Sequence, residues 1–352
     1  MFVAGLGTAV PSNRWTQTQC WDALVESEYL PKLNTRSQAI LRKVLRGNNG
    51  ICSRHLAFDE LSEAFEFDPD VLDARFVRHA PVVAARAAER ALDDAGLTTA
   101  DVDAVIISTC TGYLCPGLTS YVTDELGLRT SILAIDLVGQ GCGAAIPNMR
   151  MGEALIAAGR ARHVLSICVE ICSAAMYLDD DPGVLISACL FGDGAGAAVL
   201  TAHAMPGRRR IEWKSAGTLL STGDRDELRF ERRRGMLRNI LTPAVPALAA
   251  KHVDEVLAKG LEREQVSRDE ISAWILHAGG REILSAIRQR VGLSEDQTRW
   301  SAAILRDYGN VSSPCVYFVL QAALNERAAG GYWWMSSFGA GFTCHGVLLA
   351  VE

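Results

Sequence analysis

Two stretches of the chain share one alternation of helix-period and strand-period hydrophobic positions. In the first, Val82, Ala85, Ala88, Ala91 and Leu92 recur at three- and four-residue steps, the spacing of one helix face. Pro81 stands before that face and Gly96 after it, which predicts a helix from Pro81 to Gly96. A short acidic turn over 98–103 follows, and then Ala104-Val105-Ile106-Ile107 reads as a buried strand. From Pro246 the same order returns. Leu248, Ala249, Val253, Val256 and Leu257 mark a helix running to Gly260, and after a polar turn comes the strand Ala273-Trp274-Ile275-Leu276. The match in order and length predicts an internal duplication.

The remaining pattern continues the alternation. Apolar runs predict buried strands at Ser131–Leu137, His163–Glu170 and Gly194–Leu200, with a helix over Ala144–Ala158. Farther on, Glu282–Val291 and Cys315–Arg327 read as helices, and Tyr332–Ser336 and Gly346–Val351 as strands. Buried strands between helices imply α/β layers, with helices on the sheet faces. The change of half falls near Ala204-Met205-Pro206-Gly207, giving residues 1–205 and 206–352. No low-complexity linker separates them, so one compact unit is expected. Equivalent strand ends would then meet, and ligands tend to bind at such ends.

Composition narrows the function classes. A chain of 352 residues with 49% hydrophobic positions can fill a large core, and a formal charge of −6 argues against a polyanion-binding protein. The basic runs Arg208-Arg209-Arg210 and Arg232-Arg233-Arg234 read as solvated loops, since no nucleic-acid-binding motif accompanies them. Ten cysteines without a CxxC spacing, several inside apolar runs, suggest free thiols in a reducing cytoplasm. The start Met1-Phe2-Val3-Ala4-Gly5 lacks the basic segment and long apolar core of a signal peptide, so none is expected. No membrane span is expected, because no run approaches about 18 apolar residues. The seven histidines lack metal-ligand spacing.

Three segments at junctions between elements carry candidate chemistry. Gly141-Cys142-Gly143 follows a strand and opens a helix, so the thiol meets the positive end of the helix dipole, which favours thiolate. His277 ends an apolar strand and precedes Gly279-Gly280. Asn310 lies in Asp307-Tyr308-Gly309-Asn310-Val311-Ser312-Ser313-Pro314, a tight loop in which Ser312 or Ser313 is expected to cap the following helix. Taken singly, each has a structural explanation: an inert buried thiol, a core imidazole bonded to a carbonyl, a turn. The duplication would bring the Asn310 loop to the place that corresponds to the cysteine turn. Cys142, His277 and Asn310 would then converge on one cavity.

These three segments resemble the catalytic segments of the type III polyketide synthases, the chalcone-synthase superfamily. Cys115-Pro116-Gly117, Leu190-Phe191-Gly192-Asp193-Gly194 and Ser337-Phe338-Gly339-Ala340-Gly341 extend the likeness over nearly the whole chain. It is closer to bacterial members, among them the dihydroxyphenylacetyl-CoA synthases, than to plant chalcone synthases. The resemblance implies a thiolase-like fold with duplicated α/β/α/β/α layers and a homodimer. It also implies direct use of malonyl-CoA and a starter acyl-CoA, without a carrier protein or cofactor. Departures fall where product is set. Ala340 replaces the proline of the family's Gly-Phe-Gly-Pro-Gly loop. Phe191 matches one gatekeeper phenylalanine, whereas Arg238 or a neighbour stands for the other. Cys115 takes the place of a methionine that reaches into the partner's cavity in plant enzymes.

On this resemblance, Cys142 is the nucleophile, kept as thiolate by pairing with His277, and His277 with Asn310 binds the malonyl thioester carbonyl. Phe191, Ala175 and Ser312 would line the chain cavity, with Cys115 at the subunit boundary. Gly339 and Gly341 would belong to the loop near the acyl oxyanion. Arg42, Lys43 and Arg46, a basic cluster before Gly47–Gly50, are candidates for the coenzyme A phosphates. The alternatives are a ketoacyl-ACP synthase III-like initiating enzyme, a non-catalytic thiolase-fold partner and a cysteine hydrolase.

Overall fold

The computed structural model describes all 352 residues. The chain opens with strand β1 (Phe2–Ala9), the short β2 (Arg14–Thr16), helices α1 (Gln17–Glu26) and α2 (Thr35–Arg46), β3 (Ser53–His55) and the long α3 (Pro69–Ala95). Then come β4 (Ala104–Ser108), α4 (Leu118–Glu125), β5 (Leu133–Leu137), α5 (Ala145–Ala157), β6 (His163–Glu170), α6 (Pro182–Leu190) and β7 (Gly194–Thr201). After residues 202–210 follow β8 (Ile211–Leu220), a hairpin of β9 (Leu228–Arg233) and β10 (Met236–Leu241), α7 (Val245–Glu264) and β11 (Ile271–Leu276). The chain ends with α8 (Arg281–Val291), α9 (Arg299–Tyr308), α10 (Cys315–Asn325), β12 (Gly331–Gly339) and β13 (Thr343–Val351).

Nine strands hydrogen-bond in the order β11-β12-β13-β8-β1-β7-β6-β4-β5. The duplication is visible in the pairing. β4 runs parallel to β6, β6 antiparallel to β7, and β7 antiparallel to β1. β11, β12, β13 and β8 repeat that sequence of directions. The two series touch through a single pair, Phe2 and Glu212. Helices α5 and α10 pack against strands of both series, while α3 covers one outer face and α7 with α8 the other. Three buried clusters fill the spaces between these layers, the largest around α5 and α10. β1 approaches α3 closely: a Cβ at Gly5 would lie 2.2 Å from the carbonyl oxygen of Ala91.

In each repeat one expected helix boundary holds, Gly96 at the end of α3 and Pro246 at the start of α7, and the other does not. α3 starts at Pro69, where Asp68 accepts from the N–H of Asp70, and it passes through Pro81 before ending at Gly96 with φ 68°. An internal proline costs about 3 kcal/mol. Here Ala80, Val83, Ala84, Ala87, Ala88 and Ala91 are all buried, and their packing outweighs that cost. Likewise α7 continues past Gly260, which lies under the Trp334 ring: a Cβ there would be 2.7 Å from the indole. That glycine is set by packing rather than by a helix end. β5, expected to be buried, is the exposed edge of the sheet, because it pairs only with β4.

Candidate active site

The turn that carries Cys142 is a single 3-10 turn, Gly141–Gly143, leading into α5. Gly339 at the end of β12 lies directly on it. A Cβ at Gly339 would be 2.5 Å from the oxygen of Gln140, 2.6 Å from the nitrogen of Gly143 and 3.1 Å from that of Cys142. Only glycine permits this approach. Phe338 beside it meets the His277 ring edge-on, with centroids 4.9 Å apart. His277 follows β11, and its own N–H donates to the oxygen of Ser336 on β12.

Asn310 closes the constellation from the other side. Its amide Nδ2 donates to the oxygen of Gly279 at 3.0 Å, two residues after His277, and its Oδ1 accepts the N–H of Ser312 at 2.9 Å. Both ends of the amide are thereby fixed, leaving one Nδ2 hydrogen for a ligand. Ser312 in turn places its hydroxyl 3.2 Å from the Cys142 thiol. The backbone of Asn310 pairs with the segment 190–192, so Phe191 and Asn310 run side by side. Cys142, His277 and Asn310 are thus joined through Ser312, Gly279 and Phe338.

Burial governs the charge states. His277 is 1% exposed, and neither ring nitrogen has a hydrogen-bond partner. Burial lowers its pKa to about 3. Burial likewise pushes the Cys142 thiol up to about 12, against the bond from Ser312, which favours the thiolate. The expected Cys142–His277 pairing is therefore corrected: in this structure the thiol bonds Ser312, the imidazole has no partner, and burial favours the neutral form of both groups. A lone charge at either position would lose its hydration without compensation. Ser312 and Ser313 do not cap α10 either. Pro314 holds the cap position without a side-chain bond, and Ser313 donates instead to Glu170.

Glu170, the last residue of β6, is a feature that sequence reasoning missed. It is fully buried and accepts from the N–H groups of Cys110 and Thr111, from the hydroxyls of Thr109, Thr111 and Ser313, and from the Cys110 thiol. Burial raises its pKa against these bonds. Cys110 also lies 3.6 Å from Ser312, so polar contacts run from Cys142 through Ser312 and Cys110 to Glu170. A carboxylate ending an apolar strand was the available signal. Arg54, also missed, is 2% exposed and donates to the oxygens of Ala188 and Phe191.

A small cavity, about 30 Å³, has Ser312, Ala175, Phe191, Phe230, Ser187 and Asn239 among its walls. Ala175, Phe191 and Ser312 thus share one cavity. Arg238 does not enter it. Its guanidinium meets Glu231, Asp179 and Asp181, and the neighbour Asn239 faces the cavity instead. Gly341 lies on a larger adjoining pocket that shares Thr111 and Phe230 with this cavity and also takes in Gly139, Gly141 and Tyr113. Cys115 is exposed and lines neither space. Arg42, Lys43 and Arg46 are exposed on α2 and take part in no ion pair. The loop after them is held by Arg281, which donates to the oxygen of Asn48. The loop that follows the basic cluster is thereby tied to the start of α8, next to Gly280.

Comparison with known proteins gives consistent matches. Residues 12–221 match the family described as FAE1/Type III polyketide synthase-like protein, and residues 227–351 the C-terminal domain of chalcone and stilbene synthases. A 3,5-dihydroxyphenylacetyl-CoA synthase from Amycolatopsis balhimycina is 30% identical over 98% of this chain and 92% of its own length. One from Streptomyces toyocaensis is 28% identical over 99% and 89%. Among solved structures, PKS-I of the brown alga Ectocarpus siliculosus superposes with a TM-score of 0.90 at 27% identity, covering 99% of this chain and 98% of that one. The 1,3,6,8-tetrahydroxynaphthalene synthase of Streptomyces coelicolor A3(2) gives 0.89 at 24%, covering 100% and 99%.

Proposed function

Because the chain belongs to the type III polyketide synthases, acyltransferases of thiolase-like fold that condense malonyl-CoA iteratively, we propose that Cys142, His277 and Asn310 carry the reaction. The observation behind this assignment is a buried imidazole with both nitrogens free, gathered with a thiol and an amide whose orientation is fixed. An unpaired buried polar group costs about 1–3 kcal/mol, a cost that a bound substrate oxygen removes.

Priming begins when the Cys142 proton passes to His277 as a starter acyl-CoA binds. Net charge stays zero, so the transfer avoids placing a lone charge in the buried site. The thiolate attacks the starter carbonyl, coenzyme A leaves as its thiol after taking the proton, and an acyl-Cys142 thioester remains. Malonyl-CoA then presents its thioester carbonyl oxygen to neutral His277 Nε2–H and the free hydrogen of Asn310 Nδ2. Loss of carbon dioxide leaves an enolate on that oxygen, stabilised by the two donors at about 3 kcal/mol each. Its carbon attacks the acyl thioester, Cys142 departs as thiolate, and a 3-oxoacyl-CoA two carbons longer is released or reloaded. Backbone N–H groups of the Cys142 turn, against which Gly339 packs, hold the acyl oxyanion. Repetition and cyclisation give an aromatic or pyrone polyketide. The family match and this donor set favour that reading over a carrier-protein-dependent initiating enzyme.

Arg42, Lys43 and Arg46, with Arg281 near them, bind the coenzyme A phosphates, and no other cofactor is required. We read the active form as a cytoplasmic homodimer of chains built from halves 1–205 and 206–352. β5 leaves one edge unpaired, and Leu133, Val138 and Tyr113 near it are 42%, 55% and 66% exposed. A second copy would cover this edge and bring Cys115 to the boundary of the cavity. The test is mass spectrometry of products formed from malonyl-CoA with acetyl, medium-chain and aromatic acyl-CoA starters. Products extended more than once without carrier protein support the proposal. A single condensation that requires acyl carrier protein contradicts it.

A further inference from the structure

Two buried polar atoms on the wall of the cavity have no partner. Ser187 Oγ and Asn239 Oδ1 belong to side chains 8% and 9% exposed, and neither makes a hydrogen bond within the chain. Their orientation follows from the elements that hold them. On β10, Arg238 is drawn away from the cavity by Glu231, Asp179 and Asp181, so alternation along the strand turns Asn239 inward. Its cross-strand partner Phe230 faces the same cavity. Gly183 and Ser187 lie four residues apart on one face of α6, and Gly183 packs on the backbone of Leu241, two residues beyond Asn239. Ser187 and Asn239 therefore line the cavity on facing elements, between Phe191 and Phe230.

A saturated acyl chain in this cavity would leave both atoms unpaired. A growing poly-β-keto chain would not. Each condensation leaves oxygen on alternate carbons, and in its enol form a 1,3-dicarbonyl unit offers one O–H donor and one carbonyl acceptor. Asn239 Oδ1 can accept the enol O–H while the Ser187 hydroxyl donates to the neighbouring carbonyl. Resting on the synthase reading above, we infer that Asn239 and Ser187 form a polar subsite selecting 3-oxoacyl chains over saturated ones of equal length. Sites built to bond an oxygen discriminate strongly against analogues that lack it.

The test compares 3,5-dioxohexanoyl and hexanoyl N-acetylcysteamine thioesters, the 3-oxo and the saturated primer, with malonyl-CoA as extender, reading kcat/KM for extension by mass spectrometry. The ratio between primers is internal to each variant, so a loss of folded protein cancels. The wild-type chain should prefer the 3-oxo primer by about tenfold or more, the scale of one buried hydrogen bond. Asn239→Leu should bring the ratio near one, and Ser187→Ala should lower it in the same direction. If Asn239→Leu extends neither primer, Ser187→Ala decides. An unchanged ratio in the variants, or a wild-type chain that extends both primers equally, overturns the subsite alone. A wild-type chain that neither releases carbon dioxide from malonyl-CoA nor extends either primer overturns the synthase reading and the subsite with it.

Discussion

At the residue scale, the sequence shows those groups whose chemistry is announced by their neighbours. Cys142, His277 and Asn310 each sit within two residues of a glycine at a junction between elements, and that signal is written in the chain itself. Asn239, Ser187 and Cys110 could not be found that way. Whether a strand residue faces a cavity depends on register, and the register of β10 is fixed by the ion pairs of Arg238 with distant carboxylates. Charge states also depended on burial. Burial lowers the pKa of His277 to about 3 and of His345 to about 4, and it lowers His55 and His79 as well. In the unfolded chain each takes up its proton near pH 6.5. At these four positions the folded state binds fewer protons below that pH, so the stability they contribute above it declines as pH falls from about 6.5 towards 4, a decline that the raised carboxyls of Asp193 and Glu170 oppose. The urea midpoint should drop between pH 6.5 and 5, and His345→Asn should make that drop shallower. An identical slope in the variant would show that His345 titrates normally.

At the scale of elements, hydrophobic period placed β4, β6, β7, β11, α8 and α10 to within a few residues. It placed the end of α3 at Gly96 and the start of α7 at Pro246, but misread the start of α3 and the end of α7, because proline and glycine serve two masters. Pro81 and Gly260 answer to packing across layers, which only the assembled fold contains. The joint between α6 and the Asn310 loop makes a sharper case. Arg54 donates to the oxygens of Ala188 and Phe191, and its Nε to Gln17, from a buried position. Arg54→Met would keep the aliphatic volume and leave two buried carbonyls without their donor. We expect a loss of about 3 kcal/mol in unfolding free energy, read by urea denaturation, since bonds to a charged donor are worth about 1.5–3 kcal/mol each. A change below about 0.5 kcal/mol would mean that these carbonyls find other partners.

At the scale of the molecule, the duplication was legible and its consequence is the candidate site: two matching series of strands share a central pair of helices, and the turns that carry Cys142, His277 and Asn310 meet. What one chain leaves unfinished is the edge at β5. Replacing Leu133 and Val138 together by aspartate should convert a dimer to a monomer in analytical ultracentrifugation, because burying two carboxylates at an apolar contact is costly. A dimer that survives both changes would place the interface elsewhere. The proposed mechanism divides the labour, with His277 and Asn310 stabilising the enolate and Cys142 holding the electrophile. Carbon dioxide release from carboxyl-labelled malonyl-CoA separates these roles. Cys142→Gln removes the nucleophile but sets a neutral amide where the acyl thioester stands, so release should persist or rise, with acetyl-CoA formed and no polyketide. His277→Ala should lose release by about a hundredfold or more, the scale of one deleted oxyanion donor. A folded Cys142→Gln protein that releases no carbon dioxide, or a His277→Ala protein that releases it at the wild-type rate, would contradict that division.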